Sequence, residues 1–229
     1  MDIQRHEASL GQKMVVLPIQ TETSSAILPT ATIDENAVIE PSRPCLALFT
    51  SGTTGPPKGV VLPRRLLEIR NLASRNVVRL VCRGPQHIGG CIGMLNPVLI
   101  GTTLDIVPRD ATVLWERLRK WDSTVLSSTP PVWQQMMDIF QNRIAHLPTE
   151  ERDQYIRGAR GIRSAIVWGA AAPPSLLKFW CDLGRPLTTV YGSTEMGGMG
   201  FMSTDETDPD LKVCERALQE CWSLFALEL

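Results

Sequence analysis

The 229-residue chain is poor in aromatic residues, 6% in all with two tyrosines, and carries three histidines, at positions 6, 87 and 146. No two histidines stand four apart. The six cysteines, at 45, 82, 91, 181, 214 and 221, form no CxxC pair, so the spacing argues against a structural zinc site and the cysteines read as free thiols. An excess of charge of either sign is also missing. The 23 Lys+Arg and 24 Asp+Glu leave a net charge of -1, without the basic surplus that tracks nucleic-acid phosphates, and nucleic acid is not an expected partner. Long hydrophobic runs are absent too: the most apolar stretch, Cys91 to Val107, is interrupted by Asn96, Pro97, two threonines and Asp105, and no membrane span is expected. Residues Met1 to Glu7 lack a charged-then-apolar leader, and Ala226 to Leu229 match no retention tail, so the expected compartment is the cytoplasm. Repeats and long low-complexity tracts do not occur. What remains is an ordinary soluble composition, 43% hydrophobic and 21% charged, able to bury a core and unlike that of a disordered chain.

Residues 1–40 hold an apolar run, Met14 to Ile19, and a Thr/Ser-rich stretch with loop chemistry. From Cys45 the pattern sharpens. Cys45 to Phe49 and Val60 to Leu62 read as strands on either side of a polar loop, Thr50 to Gly59. After Pro63, apolar residues at 66, 67, 72, 73, 77 and 80 with arginines at 64, 65, 70, 75, 79 and 83 fit an amphipathic helix with a basic face. Asp110 can cap a helix bearing Val113, Leu114, Leu118 and Trp121, and Thr124 to Leu126 reads as a strand. Pro130-Pro131 opens a helix whose Val132, Trp133, Met136, Met137 and Phe140 share one face, a core stripe rather than a cofactor box. Another helix starts at Thr149 and ends near Gly158. Ser164 to Trp168 reads as a buried strand, Gly169 to Pro174 as a loop, Ser175 as the cap of a helix to Cys181, and Leu187 to Tyr191 as a strand running into Gly192 to Gly198. Strands alternating with helices of about ten residues imply an α/β fold with a mostly parallel sheet flanked by helices. Ligands in such sheets sit at the carboxyl ends of strands, where three Gly/Ser/Thr-rich loops follow short strands here.

The loop Thr50 to Gly59 supplies four hydroxyls, three glycines and Lys58. Glycines let backbone N–H groups approach an anion, hydroxyls add neutral donors, and the lysine adds a compact charge, a combination suited to polyphosphate. It is not the P-loop of nucleotide triphosphatases, because Pro57 stands where that pattern needs glycine and Gly59, not Ser or Thr, follows Lys58. Composition alone is also compatible with a flexible surface turn.

Thr50-Ser51-Gly52-Thr53-Thr54-Gly55-Pro56-Pro57-Lys58-Gly59 resembles the AMP-binding signature of the adenylate-forming superfamily, which includes acyl-CoA synthetases, 4-coumarate-CoA ligases, firefly luciferase and the adenylation domains of nonribosomal peptide synthetases. Tyr191-Gly192-Ser193-Thr194-Glu195 resembles its Tyr-Gly-x-Thr-Glu motif, and Pro85 to Gly90 and Gly169-Ala170-Ala171 resemble two more, all in the family's order. The resemblance implies ATP-dependent activation of a small-molecule carboxylic acid as an acyl-adenylate, with CoA as a possible acceptor in the full-length family. It implies that Thr50, Ser51, Gly52, Thr53, Thr54, Gly55 and Lys58 hold the β and γ phosphates and that Tyr191 and Gly192, with Gly169, Ala170 and Ala171, form the adenine site. It further implies that Thr194 bonds the α-phosphate, that Glu195 holds Mg²⁺, and that His87 lines the acyl pocket beside the reacting carboxylate. Taken alone, Tyr191 would read as a core aromatic, Glu195 as a solvated acid and His87 as a residue packing a turn.

Amino-acid-activating members place an Asp near the position of His87 to pair the substrate ammonium; Gln86-His87-Ile88 has no acid, which favours an acid without an α-amino group. His87, Trp168, Met196 and Gly197 are the pocket-lining candidates, and their apolar character suits an aryl or fatty acyl group. The resemblance covers about residues 41–204, the middle of the family's N-terminal domain, with 1–40 poorly matched and 205–229 a divergent acidic tail. The family's ribose-binding Asp, the Arg after it and the mobile C-terminal domain have no counterpart, so the expectation is a chain truncated at both ends in which the thioester step is lost. Beside the enzyme reading stand a nucleotide-binding fragment without turnover and the remnant of a split or mis-spliced adenylating enzyme.

Overall fold

A computed structural model describes residues 38–50, 56–67, 77–120, 123–203 and the backbone of 216–217. The chain divides into units Met1–Val38 and Ile39–Leu229, and the fold below is that of the second. Its main sheet is built from β3 (Val78–Val81), β4 (Thr103–Ile106), β5 (Val125–Ser128), β6 (Ser164–Trp168) and β7 (Thr188–Tyr191), parallel and ordered β4-β3-β5-β6-β7. Two short strands, β8 (Phe201–Met202) and β9 (Arg216–Ala217), extend it antiparallel beyond β7. The expected α/β fold with a mostly parallel sheet is the one observed.

Helices α1 (Ile88–Ile100), α2 (Ala111–Arg119), α3 (Pro130–Asn142), α4 (Thr149–Gly161) and α5 (Pro174–Asp182) connect the strands. Asp110 caps α2 as its sequence predicts, its Oδ1 accepting from the N–H groups of Thr112 at 2.7 Å and Val113 at 3.2 Å. On α3, Val132, Trp133, Met136 and Met137 are buried, so that stripe is core. It meets Trp115 of α2 and Trp180 of α5: Trp115 stacks on Trp180 with centroids 5.6 Å apart, and Trp133 meets Trp180 edge-on at 4.8 Å. The indole N–H groups of Trp115 and Trp133 donate to the carbonyls of Met136 and Ile166, so burying these rings leaves neither donor orphaned. Alternation along β6 turns Ala165 and Val167 into the same core.

A separate antiparallel hairpin, β1 (Pro44–Thr50) and β2 (Lys58–Pro63), carries the polar loop at its tip and pairs Thr50 with Lys58. Its inner face, Leu48 and Leu62, packs against Ile88 and Cys91 of α1, and that apolar contact fixes where Lys58 lies.

Two local expectations are corrected. The basic amphipathic helix after Pro63 is not formed: Arg64–Leu67 is a single 3-10 turn, Val78–Val81 is a strand, and residues 68–76 lie outside the described ones. Pairing with β4 and β5 overrides the helical spacing, and the two-residue period of a strand puts Arg79 on the face opposite Leu80. Helix α5 is capped at Pro173 rather than Ser175. The apolar stretch from Cys91 breaks at Gly101, whose φ of 70° is left-handed, into the end of α1 and strand β4, and among the described residues no helix is long and apolar enough to cross a membrane.

Candidate active site

Because β3, β5, β6 and β7 are parallel, their carboxyl ends share one edge of the sheet, and the segments after three of them converge there. Strand β3 delivers Arg83 and His87, β6 delivers Gly169, Ala170 and Ala171, and β7 delivers the turn from Gly192 to Gly200. The register of Trp168 with Val190 sets Gly169 to Ala171, all exposed, beside Tyr191. The Tyr191 ring is 60% exposed and rests at 6.2 Å from Phe201, so it is held from one side and open on the other rather than built into the core.

The turn after β7 is wound tightly by its own backbone. The N–H of Gly197 donates to Thr194 O at 3.0 Å, that of Gly198 to Ser193 O at 2.9 Å, and that of Gly200 to Tyr191 O at 2.9 Å. Gly197 and Gly198 have φ of 75° and 114°, and a Cβ on Gly192 would collide with the Gly198 carbonyl, so the turn closes only on glycine at these points. Glu195 projects from it, exposed. Its carboxyl is held below the usual carboxylate range first by its own backbone N–H and then by the Ser193 hydroxyl, against an opposing effect of burial, with the Lys58 ammonium the smallest contributor. Lys58, at the start of β2 and exposed, therefore acts on Glu195 across more than 130 residues of sequence.

The structure thus brings together Lys58, Glu195, Thr194, Tyr191, Gly192 and Gly169 to Ala171. Thr50 sits across from Lys58 in the hairpin, its hydroxyl 3.5 Å from the Lys58 carbonyl that accepts from it. Ser51, Gly52, Thr53, Thr54 and Gly55 lie outside the described residues. His87 is the exposed N-cap of α1, its imidazole pushed below its ordinary pKa by desolvation and then by the Arg83 and Arg109 guanidinium groups, which keeps the ring neutral at pH 7.

Behind this edge, between α1 and the sheet, lies a cavity of about 130 Å³. Ile88, Gly89, Ile92 and Gly93 of α1 form one wall, with Trp168 and Gly197 to Met199 opposite. Gly89 is the point of closest approach: a Cβ there would fall inside the Trp168 ring. Trp168 is fixed by its indole N–H donating to Ser127 Oγ at 2.8 Å and by the Arg83 guanidinium 4.5 Å over its ring. Of the four pocket-lining expectations, Trp168 and Gly197 line it; His87 and Met196 do not, because His87 sits outside at the helix start and Met196 folds toward Gly200. Arg79, Arg83 and Asn96 line it and were missed. The signal was available, since a strand period for Val78 to Val81 sets Arg79 opposite core-facing Leu80.

The chain matches the family described as AMP-binding enzyme over residues 3–220. It is 34% identical over 194 residues to the acyl-CoA ligase oryP of Aspergillus oryzae, covering 81% of this chain and 35% of that one. To the mitochondrial malonate–CoA ligase ACSF3 of Mus musculus it is 28% identical, covering 68% of this chain and 29% of the relative. A solved malonyl-CoA ligase, a ternary product complex with methylmalonyl-CoA and AMP bound, superposes with a TM-score of 0.62 at 23% identity, over 74% of this chain and 37% of that one. The chain spans about a third of the length of these relatives.

Proposed function

This chain belongs to the AMP-binding enzyme family, and from that premise we propose that it serves the ATP-dependent activation of a carboxylic acid, as in acyl-CoA ligases. In that reaction a carboxylate oxygen forms a bond to the α-phosphorus of ATP, the bond to pyrophosphate breaks, and the acyl-adenylate results. The observation that supports the reading is the one sheet edge shared by Tyr191, the turn bearing Thr194 and Glu195, and the exposed Gly169-Ala170-Ala171 loop, with the Lys58 ammonium near enough to favour the ionised Glu195 carboxyl. Tyr191 offers an open aromatic face for adenine, with Gly169 to Ala171 and Gly192 leaving room for its plane. Lys58, with Thr50 and the Ser51, Gly52, Thr53, Thr54 and Gly55 segment, serves the β and γ phosphates, and Thr194 the α-phosphate. His87, neutral at pH 7, is free to stand near the acid's carboxylate without holding it as an ion pair.

Glu195 is suited to Mg²⁺. Its exposed carboxylate is a hard oxygen ligand of the kind Mg²⁺ takes together with phosphate oxygens. Bound there, the ion would neutralise phosphate charge. Lys58 and Glu195 keep the edge charged, whereas Ile88, Ile92 and Trp168 offer the acid's tail apolar walls in the cavity behind it. CoA is the acceptor this reading assigns to the full-length family, whose thioester step needs a C-terminal domain that has no counterpart in the chain's motifs. We place the protein in the cytoplasm: Cys45, Cys82, Cys91 and Cys181 are free thiols. Fractionation separates that from the mitochondrial address of the mouse relative.

Acid-dependent exchange of pyrophosphate into ATP tests the function. Exchange with at least one acid, reduced by about 10²–10³ in Lys58→Ala or Glu195→Ala, is expected. No exchange across a broad acid panel contradicts it, and nucleotide binding without exchange would leave the chain a binding role alone.

A further inference from the structure

The two arginines that a helical reading assigns to a solvated face both line the cavity, and they bring charge into a space otherwise walled by Leu80, Val81, Ile88, Ile92 and Trp168. Burial alone pulls the Arg79 guanidinium below its ordinary pKa, and burial followed by Arg109 does so for Arg83. Neither can escape by losing its proton at physiological pH. Among the described residues no carboxylate lines the cavity, and none of the ion pairs uses either arginine. One turn of α1 beyond Gly93, Asn96 lines it too, and its Oδ1 is buried without a hydrogen-bond partner among the described residues. A half-turn of that amide presents two N–H donors in place of the orphaned acceptor. A half-buried cation without a carboxylate beside it among the described residues and an unsatisfied amide each favour a partner, and one small anion would serve both. The volume is comparable to that of a cavity that holds benzene, too small for a long acyl chain.

We propose that Arg79, with Asn96, forms an anion subsite in the acyl cavity, so that the acid activated here is short and carries a second anionic group, a carboxylate or a sulfonate, at its far end. This rests on the acid-activating reading above. Calorimetry on the whole chain with ATP and Mg²⁺ present tests it, using malonate and succinate against their monoamides, which match them in shape and lack the second charge, and sulfoacetate as the sulfonate arm. The subsite predicts that at least one diacid or sulfoacetate binds about tenfold or more tightly than its uncharged counterpart. Arg79→Met removes the difference, and Arg79→Lys restores part of it. Equal binding of diacid and monoamide by the wild-type chain overturns the subsite and leaves the acid-activating reading standing. Loss of nucleotide and acid binding together in the wild-type chain overturns both. The wild-type comparison decides the matter even if Arg79→Met fails to fold.

Discussion

Glu195 has three groups holding it ionised, and two of them, its own N–H and the Ser193 hydroxyl, belong to the turn that bears it. Its folded pKa lies below the unfolded one, so the ionised form persists as pH falls until the carboxyl is protonated below the usual Glu value of about 4.3. Glu195→Gln is therefore expected to weaken Mg²⁺-dependent ATP binding about tenfold or more at pH 7, read by calorimetry. Unchanged binding in Glu195→Gln would remove the carboxylate from the site. His87 is depressed in the other charge class. In the window just below about pH 6.5 the unfolded chain binds the proton more readily than the folded one, so stability falls as pH falls there. An NMR titration should place the His87 pKa below that of a free imidazole, and His87→Gln should flatten the stability profile across the window. A pKa at or above the free value contradicts the cationic surroundings of Arg83 and Arg109.

Helix α1 is the element on which both halves of the site depend, since it anchors the hairpin bearing Lys58 on one side and roofs the cavity on the other. Its sequence hides it: Gly89, Gly90, Gly93 and Pro97 all read as breakers, and its apolar residues surround it without a helical stripe. Those glycines are the reason it packs. A Cβ on Gly90 would meet the Gly84 carbonyl, so Gly90→Ala is expected to destabilise the chain by about 1–3 kcal/mol, measured as a lower urea midpoint at unchanged slope. Gly89→Ala drives into the Trp168 ring and should abolish acid binding while nucleotide binding persists. Acid binding at wild-type strength in that variant would put the acyl cavity elsewhere. By contrast α2, α3 and β6 were legible, because Asp110, the Pro130-Pro131 start and an uninterrupted Ser164 to Trp168 run are local signals that tertiary packing does not override. The strand at Val78 was not, because four residues carry too little period to outvote the arginine spacing on either side of it.

Across the whole molecule the sequence motifs marked the sheet edge well, since the Gly169 and Tyr191 loops follow strands that pairing makes adjacent. The cavity was harder to read: Arg79, Arg83 and Asn96 line one space only through the packing of α1 on β3, and the strand period of Val78 to Val81 marks no more than the position of Arg79 opposite core-facing Leu80. The tryptophan cluster carries the sheet and its helices as one body, and Trp133→Ala is expected to cost about 3–5 kcal/mol and lower the thermal midpoint accordingly; a loss below about 1 kcal/mol would deny it that role. The proposed function joins the hairpin to the β7 turn through a shared Mg²⁺-bound triphosphate. A double-mutant cycle with Lys58→Ala and Glu195→Gln, reading ATP affinity by calorimetry with Mg²⁺ present, measures that connection directly. The account predicts a coupling energy of about 1 kcal/mol or more between the two substitutions, and additive losses with no coupling would contradict it.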